Sequence, residues 1–320
     1  MPRLRTVRPG IDLGYTRTRS GSGFRYTDAD GASLPAAERE RAAALVIPPA
    51  WTEVWISAAS DGHIQATGVD EAGRRQYVYH PDWPAGRDKG KYARALQLAA
   101  SLPHARGRVT TSLRRDDLDR ERVLATAFRL LDQAAPRVGS AKYLARHGSR
   151  GLTTLRRRDA AVVTSITSLR FRGKSGKRQS LDIDDAELAV VVAALAAGRP
   201  AAPLLAYTRG RRRVPLTPKD VNAYVRAMTG GAFTAKDFRT LRGTILAADA
   251  LARIGPAGSK RDRKHAEVLA VKAASDALGN TPAVARSSYI DPRVFARYRR
   301  GVVLDTAVSP ESAIRALILG

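Results

Sequence analysis

The hydrophobic pattern of this chain changes period once, near residues 82–87, and that change limits the folds open to it. Before it, short runs alternate apolar and polar residues and stop at turn residues. After it, apolar residues recur at helical spacing over long stretches. The break itself, Asp82-Trp83-Pro84-Ala85-Gly86-Arg87, reads as a linker. Charge shifts at the same place. Residues 1–90 hold 12 Lys and Arg against 11 Asp and Glu, and residues 91–320 hold 43 against 19. The expected fold class is α+β, with a small β-rich N-terminal domain over residues 1–88. A larger, mainly helical C-terminal domain carrying a β-hairpin is expected over residues 89–320.

A chain of 320 residues is long enough for each part to bury its own core. Arginine richness from codon bias would spread over both parts, so the lopsided net charge of +25 points to a polyanion-binding surface on the second. Nucleic acid fits better than membrane, because there is no long basic amphipathic helix with an aromatic face. No stretch approaches the roughly 20 apolar residues of a membrane span. The basic start, Met1–Gly10, has no apolar run, so no secretory leader is expected and the cytoplasm is the expected compartment. Cysteine is absent, which excludes disulfides, thiolate catalysis and cysteine-held zinc. The five histidines are scattered without metal-ligand spacing, so no metal is expected.

In the first part, Gly23–Thr27 reads as a strand before the turn Asp28-Ala29-Asp30-Gly31. Ser33 is expected to cap a helix over Ala36–Leu45, which Pro48-Pro49 ends. Glu53–Ser57 is a strand, and His63–Gly68 pairs with Arg74–His80 around Asp70-Glu71-Ala72-Gly73. On the last strand Tyr77 and Tyr79 share one face, with Gln76 and Val78 on the other. Such a pair beside Arg74 and Arg75 serves equally as a core face or as a surface for bases and phosphates.

In the second part, helices are expected over Lys91–Ser101 (up to Pro103), from Asp116-Asp117 to about Ala135, and over Lys142–Arg146. Gly151–Leu155 and Ala161–Phe171 look strand-like. Arg172-Gly173-Lys174-Ser175-Gly176-Lys177 then places a lysine at a hairpin tip, with a returning strand to Ile183. Helices follow over Asp184–Ala197, from Thr217-Pro218 to Met228, and from Thr234 to Ile254. On the last of these Phe238, Leu241, Ile245 and Leu246 make the core stripe, beside a cationic edge of Lys236, Arg239 and Arg242. Gly255–Lys264 reads as a mobile loop, His265–Leu278 as a long helix, and Asp291–Arg299 and Glu311–Leu319 as closing helices. Between them Gly279–Ser288 is turn-rich, which would leave Tyr289 away from its partners in the free protein.

A protein that breaks a phosphodiester with a side-chain oxygen needs cations to cancel charge on the non-bridging oxygens. It also needs a proton for the leaving oxygen and pre-positioned parts. Arginine does the first without a metal, since its planar fork binds phosphate bidentately. The expected set is a tyrosine, at least two arginines and one mobile acid such as lysine. A lone tyrosine near a chain end is usually a packing residue, so the set matters more than the phenol.

Arg137-Val-Gly-Ser-Ala-Lys-Tyr143, Gly151-Leu-Thr-Thr-Leu155, the Gly173-Lys174 tip, Lys236-Asp-Phe-Arg239, Leu278-Gly-Asn280 and Ser288-Tyr289 follow one another in this chain. In that order they resemble type IB DNA topoisomerases, most closely the small bacterial and poxvirus-like branch. Ile47–Ile56 and Thr67–Tyr79 resemble that branch's N-terminal β-domain. The resemblance covers nearly the whole chain, and it implies roles. Tyr289 would form a 3′-phosphotyrosyl bond. Arg137 and Arg239 would hold the non-bridging oxygens, Lys174 would be the general acid, and Asn280 would donate to a non-bridging oxygen. Poxvirus relatives carry His at this last position; Asn cannot be protonated there. The resemblance places DNA contacts at Gln76, Tyr77, Tyr79, Lys142, Tyr143, Thr153, Thr154 and Lys236. It also implies a monomer that closes on double-stranded DNA as a clamp, relaxes it without ATP, metal or cofactor, needs no obligate protein partner and associates with the nucleoid. A tyrosine site-specific recombinase is the alternative, sharing nearly the same catalytic set but usually carrying a helical front and a docking C-terminal tail.

Overall fold

The computed structural model describes residues 4–320, and of residues 84–89 the backbone alone. The first three positions of the basic Met1–Gly10 stretch lie outside the described residues. Contacts divide the chain into two compact units, Met1–Gly90 and Lys91–Gly320.

The first unit contains β1 (Gly14–Ser20), β2 (Gly23–Thr27), α1 (Ala36–Ala44), β3 (Thr52–Ser57), β4 (Ile64–Val69) and β5 (Arg75–Tyr79). The strands form one antiparallel sheet in the order β2-β1-β3-β4-β5. Its small core joins Ala42, Ile47, Val54, Ile56 and Ala66, with Tyr15, Trp51 and Val78 packed against it. Arg17 is buried beside this core. Its two terminal nitrogens donate to the carbonyls of Ile47, Pro48 and Trp51 at 2.7, 2.9 and 3.0 Å, which satisfies that end of the guanidinium.

The second unit is carried by α2 (Asp82–Leu113) from Lys91 onward, α3 (Arg120–Ala134), α4 (Ala141–His147), β6 (Ala160–Val163), β7 (Ile166–Arg172), β8 (Arg178–Asp184) and α5 (Ala186–Ala196). It continues through β9 (Ala206–Arg209), β10 (Arg212–Pro215), α6 (Pro218–Thr229), α7 (Ala235–Ile254), α8 (Lys260–Leu278), α9 (Pro282–Ser288), α10 (Pro292–Tyr298) and α11 (Pro310–Leu319). Strands β6, β7 and β8 make an antiparallel sheet, and β9 pairs with β10. The α+β character is as expected.

Several elements differ from the sequence reading. Asp82–Arg87 is not a linker but the start of α2, where Pro84 falls in the first turn and forfeits no hydrogen bond. Pro103 does not end that helix either. Leu98, Leu102, Ala105, Val109 and Leu113 are buried on both sides of it, and that burial outweighs one lost backbone bond. The next helix begins at Arg120 and not at Asp116, because Asp119 is its cap and accepts from the Arg122 amide at 2.8 Å. Ala161–Phe171 is two strands, not one, broken by Thr164 at φ 52°. Gly151–Leu155 contains a single 3₁₀ turn, Leu152–Thr154, in place of a strand. The expected loop 255–264 shortens to 255–259, since Ser259 caps α8 by accepting from the Asp262 amide at 3.0 Å.

Candidate active site

The site is built where α7, the Arg137 segment, the β7–β8 tip and the chain after α8 meet. Helix α7 starts from a reciprocal cap. The Asp237 carboxylate accepts from the Thr234 amide and hydroxyl at 2.8 Å each, and from Arg94 Nε at 2.9 Å. That cap fixes the helix one turn from Arg239. The sequence places Arg239 on an edge beside the apolar stripe, yet it is 5% exposed. Ile245 and Leu246 of the expected stripe are only partly buried, while Ala247, Ala248 and Leu251 lie in the core. The α7 core face is therefore rotated from the expected one, and Arg239 turns inward with it.

Arg239 donates to the carbonyls of Ala135 at 2.6 Å and Leu278 at 2.8 Å. These carbonyls end α3 and α8, so the cation sits at two negative helix ends. Burial pushes its pKa down and the nearby Arg137 charge adds to that, but a guanidinium stays charged.

Arg137 comes from the opposite side, on a segment held by the 3₁₀ turn. The Leu152 and Thr153 amides donate to the carbonyls of Arg137 and Val138 at 2.8 and 2.9 Å. The Thr153 hydroxyl, buried, donates to Val138 at 3.0 Å. The two backbones touch through glycines. A Cβ on Gly151 would lie 2.5 Å from the Arg137 carbonyl oxygen and 2.7 Å from Gly139 Cα. Gly151→Ala must therefore displace the Arg137 segment. A thermal melt should show a loss of about 1–3 kcal/mol, and an unchanged melt would mean the two backbones are not in close contact.

Asn280 joins the two arginines. Its Oδ1 accepts from Arg137 Nη2 and, at 3.4 Å, from Arg239 Nη2. Two guanidinium donors require the oxygen to face them, which turns the amide nitrogen away. That nitrogen, Asn280 Nδ2, is buried and has no partner among the described residues, and the same holds for Arg239 Nε. Unsatisfied buried donors cost about 1–3 kcal/mol each, so each of the two marks a place for an acceptor.

Tyr289 sits closer to this group than the turn-rich sequence suggested. Thr281 caps α9, accepting from the Val284 amide at 3.3 Å, and Pro282 opens it. Tyr289 is the C-cap, and its half-buried ring lies 4.9 Å from Arg239 Cζ. Burial pushes the phenol pKa up. Arg239, with Arg137 and Lys236 behind it, overcomes this and holds the phenol below its ordinary value. The backbone is pinned as well. The Tyr289 amide donates to Ala285 at 3.0 Å, and its carbonyl accepts from Thr244 Oγ1 at 3.2 Å. Gly243 permits the approach, because a Cβ there would be 2.8 Å from the Tyr289 carbonyl oxygen.

Lys174 is exposed at the β7–β8 tip, where Ser175 and Gly176 take positive φ, and it lines one cleft with Arg137, Arg239 and Gln179. Lys236 is exposed on the first turn of α7. Of the other candidates, Lys142 and Tyr143 are exposed on α4, Thr154 bonds its own turn, and Thr153 is spent on the Arg137 segment. In the first unit Tyr77 and Tyr79 stand exposed on β5 and stack, with centroids 5.9 Å apart. Gln76 is half-buried and donates to Asp70 at 2.7 Å. Sequence reasoning missed Thr244, Gly243, Arg94 and Gln179. No motif marks them, and only the Thr-Leu-Arg-Gly-Thr run on α7 hinted at a helix face with small residues.

A family model described as eukaryotic DNA topoisomerase I, catalytic core, matches residues 81–300. Another, bacterial DNA topoisomerase IB, N-terminal domain, matches residues 23–70, on the β-rich front. The chain belongs to the type IB DNA topoisomerase family. It is therefore a DNA-binding isomerase, a DNA topoisomerase. The DNA topoisomerase 1B of Acanthamoeba polyphaga mimivirus is similar to it along nearly all of both chains, 26% identical over 325 residues, 96% of this chain and 97% of that protein. Among the described residues no helix is long and apolar enough to cross a membrane.

Proposed function

We propose that this enzyme relaxes supercoiled duplex DNA by cutting one strand through Tyr289 and resealing it after rotation, without nucleotide or metal. One observation carries the proposal. The Arg137–Asn280–Arg239 group presents buried, unpartnered donors beside a tyrosine whose acidity the same cations raise. The phenol gives its proton to solvent, and its oxygen attacks phosphorus. The bond from phosphorus to the 5′-oxygen breaks, and Lys174 supplies the proton that this oxygen takes up. Arg137, Arg239 and Asn280 Nδ2 stabilise the non-bridging oxygens as negative charge grows there. The ester energy stays in the 3′-phosphotyrosyl bond, so religation by the freed 5′-hydroxyl needs no ATP.

The exposed Tyr77–Tyr79 pair, with Gln76, and on the catalytic unit Lys142, Tyr143, Thr154 and Lys236, are assigned to DNA contact. In this reading Thr153 acts by holding the Arg137 segment. The protein works as a monomer on DNA of the nucleoid. Excess chelator without nucleotide is the test. Relaxation of both positively and negatively supercoiled plasmid should persist, and its loss in chelator would sink the metal-free mechanism.

A further inference from the structure

Gln179, the second residue of β8, lies between the two glycines that precede Lys174 and Asn280. A Cβ on Gly173 would sit 2.8 Å from Gln179 Cγ, and one on Gly279 would sit 2.1 Å from its Oε1 and 2.5 Å from its Nε2. Its side chain therefore touches the backbone of the hairpin tip with its middle and the backbone of the Asn280 turn with its end. Gly279 is in turn the residue whose carbonyl accepts from Arg137 Nη1 at 3.4 Å. Hydrogen bonding does not explain this placement. The one bond its amide makes among the described residues is a long one, 3.4 Å, to the neighbouring Arg178 carbonyl. Packing holds it there, in the cleft it lines with Arg137, Lys174 and Arg239.

The tip itself is weakly fixed. Lys174, Ser175, Gly176 and Lys177 are exposed, and the turn closes through the Gly173 and Gly176 amides at 2.8 and 3.1 Å, with only long bonds beside them, from the Lys177 amide at 3.5 Å and from Arg172 Nε at 3.4 Å. A lysine on such a tip needs a spacer to keep its amine at a set distance from the phosphate-holding group. We propose that Gln179 is a positioning residue. Its side-chain bulk, wedged between Gly173 and Gly279, sets Lys174 relative to Asn280 and Arg137. The inference rests on the reading of Lys174 as the general acid. It adds the element that holds that acid in register with the rest of the site.

Single-turnover cleavage of two duplexes tests it, one with an ordinary phosphodiester and one with sulfur at the 5′-bridging position, a leaving group that needs no acid. Gln179→Ala empties the wedge. It should slow the ordinary substrate about tenfold or more, as a misplaced catalytic group does, and cleave the sulfur substrate at the parent rate. Gln179→Met keeps the bulk without the amide and should stay near the parent rate on both. Equal slowing of Gln179→Ala on both substrates overturns the inference, as does parent-like cleavage of the ordinary one. Slowing of Gln179→Met to the level of Gln179→Ala also overturns it, since the amide and not the bulk would then act. Lys174→Ala runs beside them. If sulfur fails to rescue Lys174→Ala, the general-acid reading falls and takes the inference with it. If sulfur rescues Lys174→Ala but not Gln179→Ala, the inference alone falls. Melting curves of both Gln179 variants separate a lost fold from a lost position.

Discussion

Tyr289→Phe should bind supercoiled plasmid as the parent does and form no covalent adduct with it. Relaxation should drop to background, a loss on the order of 10⁶-fold, the scale reported for removing a nucleophile. The fold should not change. The bonds that pin its backbone, to Ala285 and from Thr244, do not involve the phenol, and a phenylalanine ring can keep the contact with the Arg239 guanidinium. Denaturing gels of plasmid trapped with the variant decide the matter. An adduct that survives would show that another residue takes the strand.

Arg239→Ala should cost activity and stability together. Removing one donor from a developing oxyanion costs about 10²–10³ in rate, and here the lost side chain also leaves the Ala135 and Leu278 carbonyls without its donors. Each abandoned buried acceptor adds about 1–3 kcal/mol of destabilisation. Arg239→Lys should rescue little, since one ammonium cannot span two carbonyls and a phosphate. The pH profile gives a second readout. The parent phenol is held below its ordinary pKa, with Arg239 the main lowering cause set against burial. The alkaline rise of cleavage should therefore come below the ordinary tyrosine range in the parent. In Arg239→Ala it should move upward, because burial still raises the phenol pKa while its chief cation is gone. A profile that does not move would detach Arg239 from the phenol. A melt equal to the parent's would contradict its role at the helix ends.

The fold class was legible because the hydrophobic period changes and turn residues punctuate the strands. The break at 82–87 misled because Pro in a helix's first turn, with Gly close behind it, looks like a linker. Pro103 misled because burial of Leu98, Leu102 and Val109 is a tertiary effect that no local rule contains. At the candidate site, Arg137, Lys174, Arg239, Asn280 and Tyr289 were reachable from motif order as candidates. Their geometry was not. Whether Arg239 lies at an edge or inside depends on how far α7 rotates against its neighbours, and its inward turn is set by packing across α3 and α8. The short helix before Tyr289 hid behind Thr-Pro and a pair of serines. The spacers, Thr244, Gly243 and Gln179, carry no chemistry of their own, so nothing in the sequence set them apart.

The anchoring of Tyr289 bears on the mechanics of relaxation. Its carbonyl is bolted to α7 and its amide closes α9, while Arg286 of α9 is tied to the buried Glu267 of α8. A strand joined to this phenol would be fixed to the stator of the machine, with only side-chain torsions between the DNA end and the helical core. Torque stored in the duplex would then have to discharge on the other side of the nick, where the released 5′-end has no covalent hold.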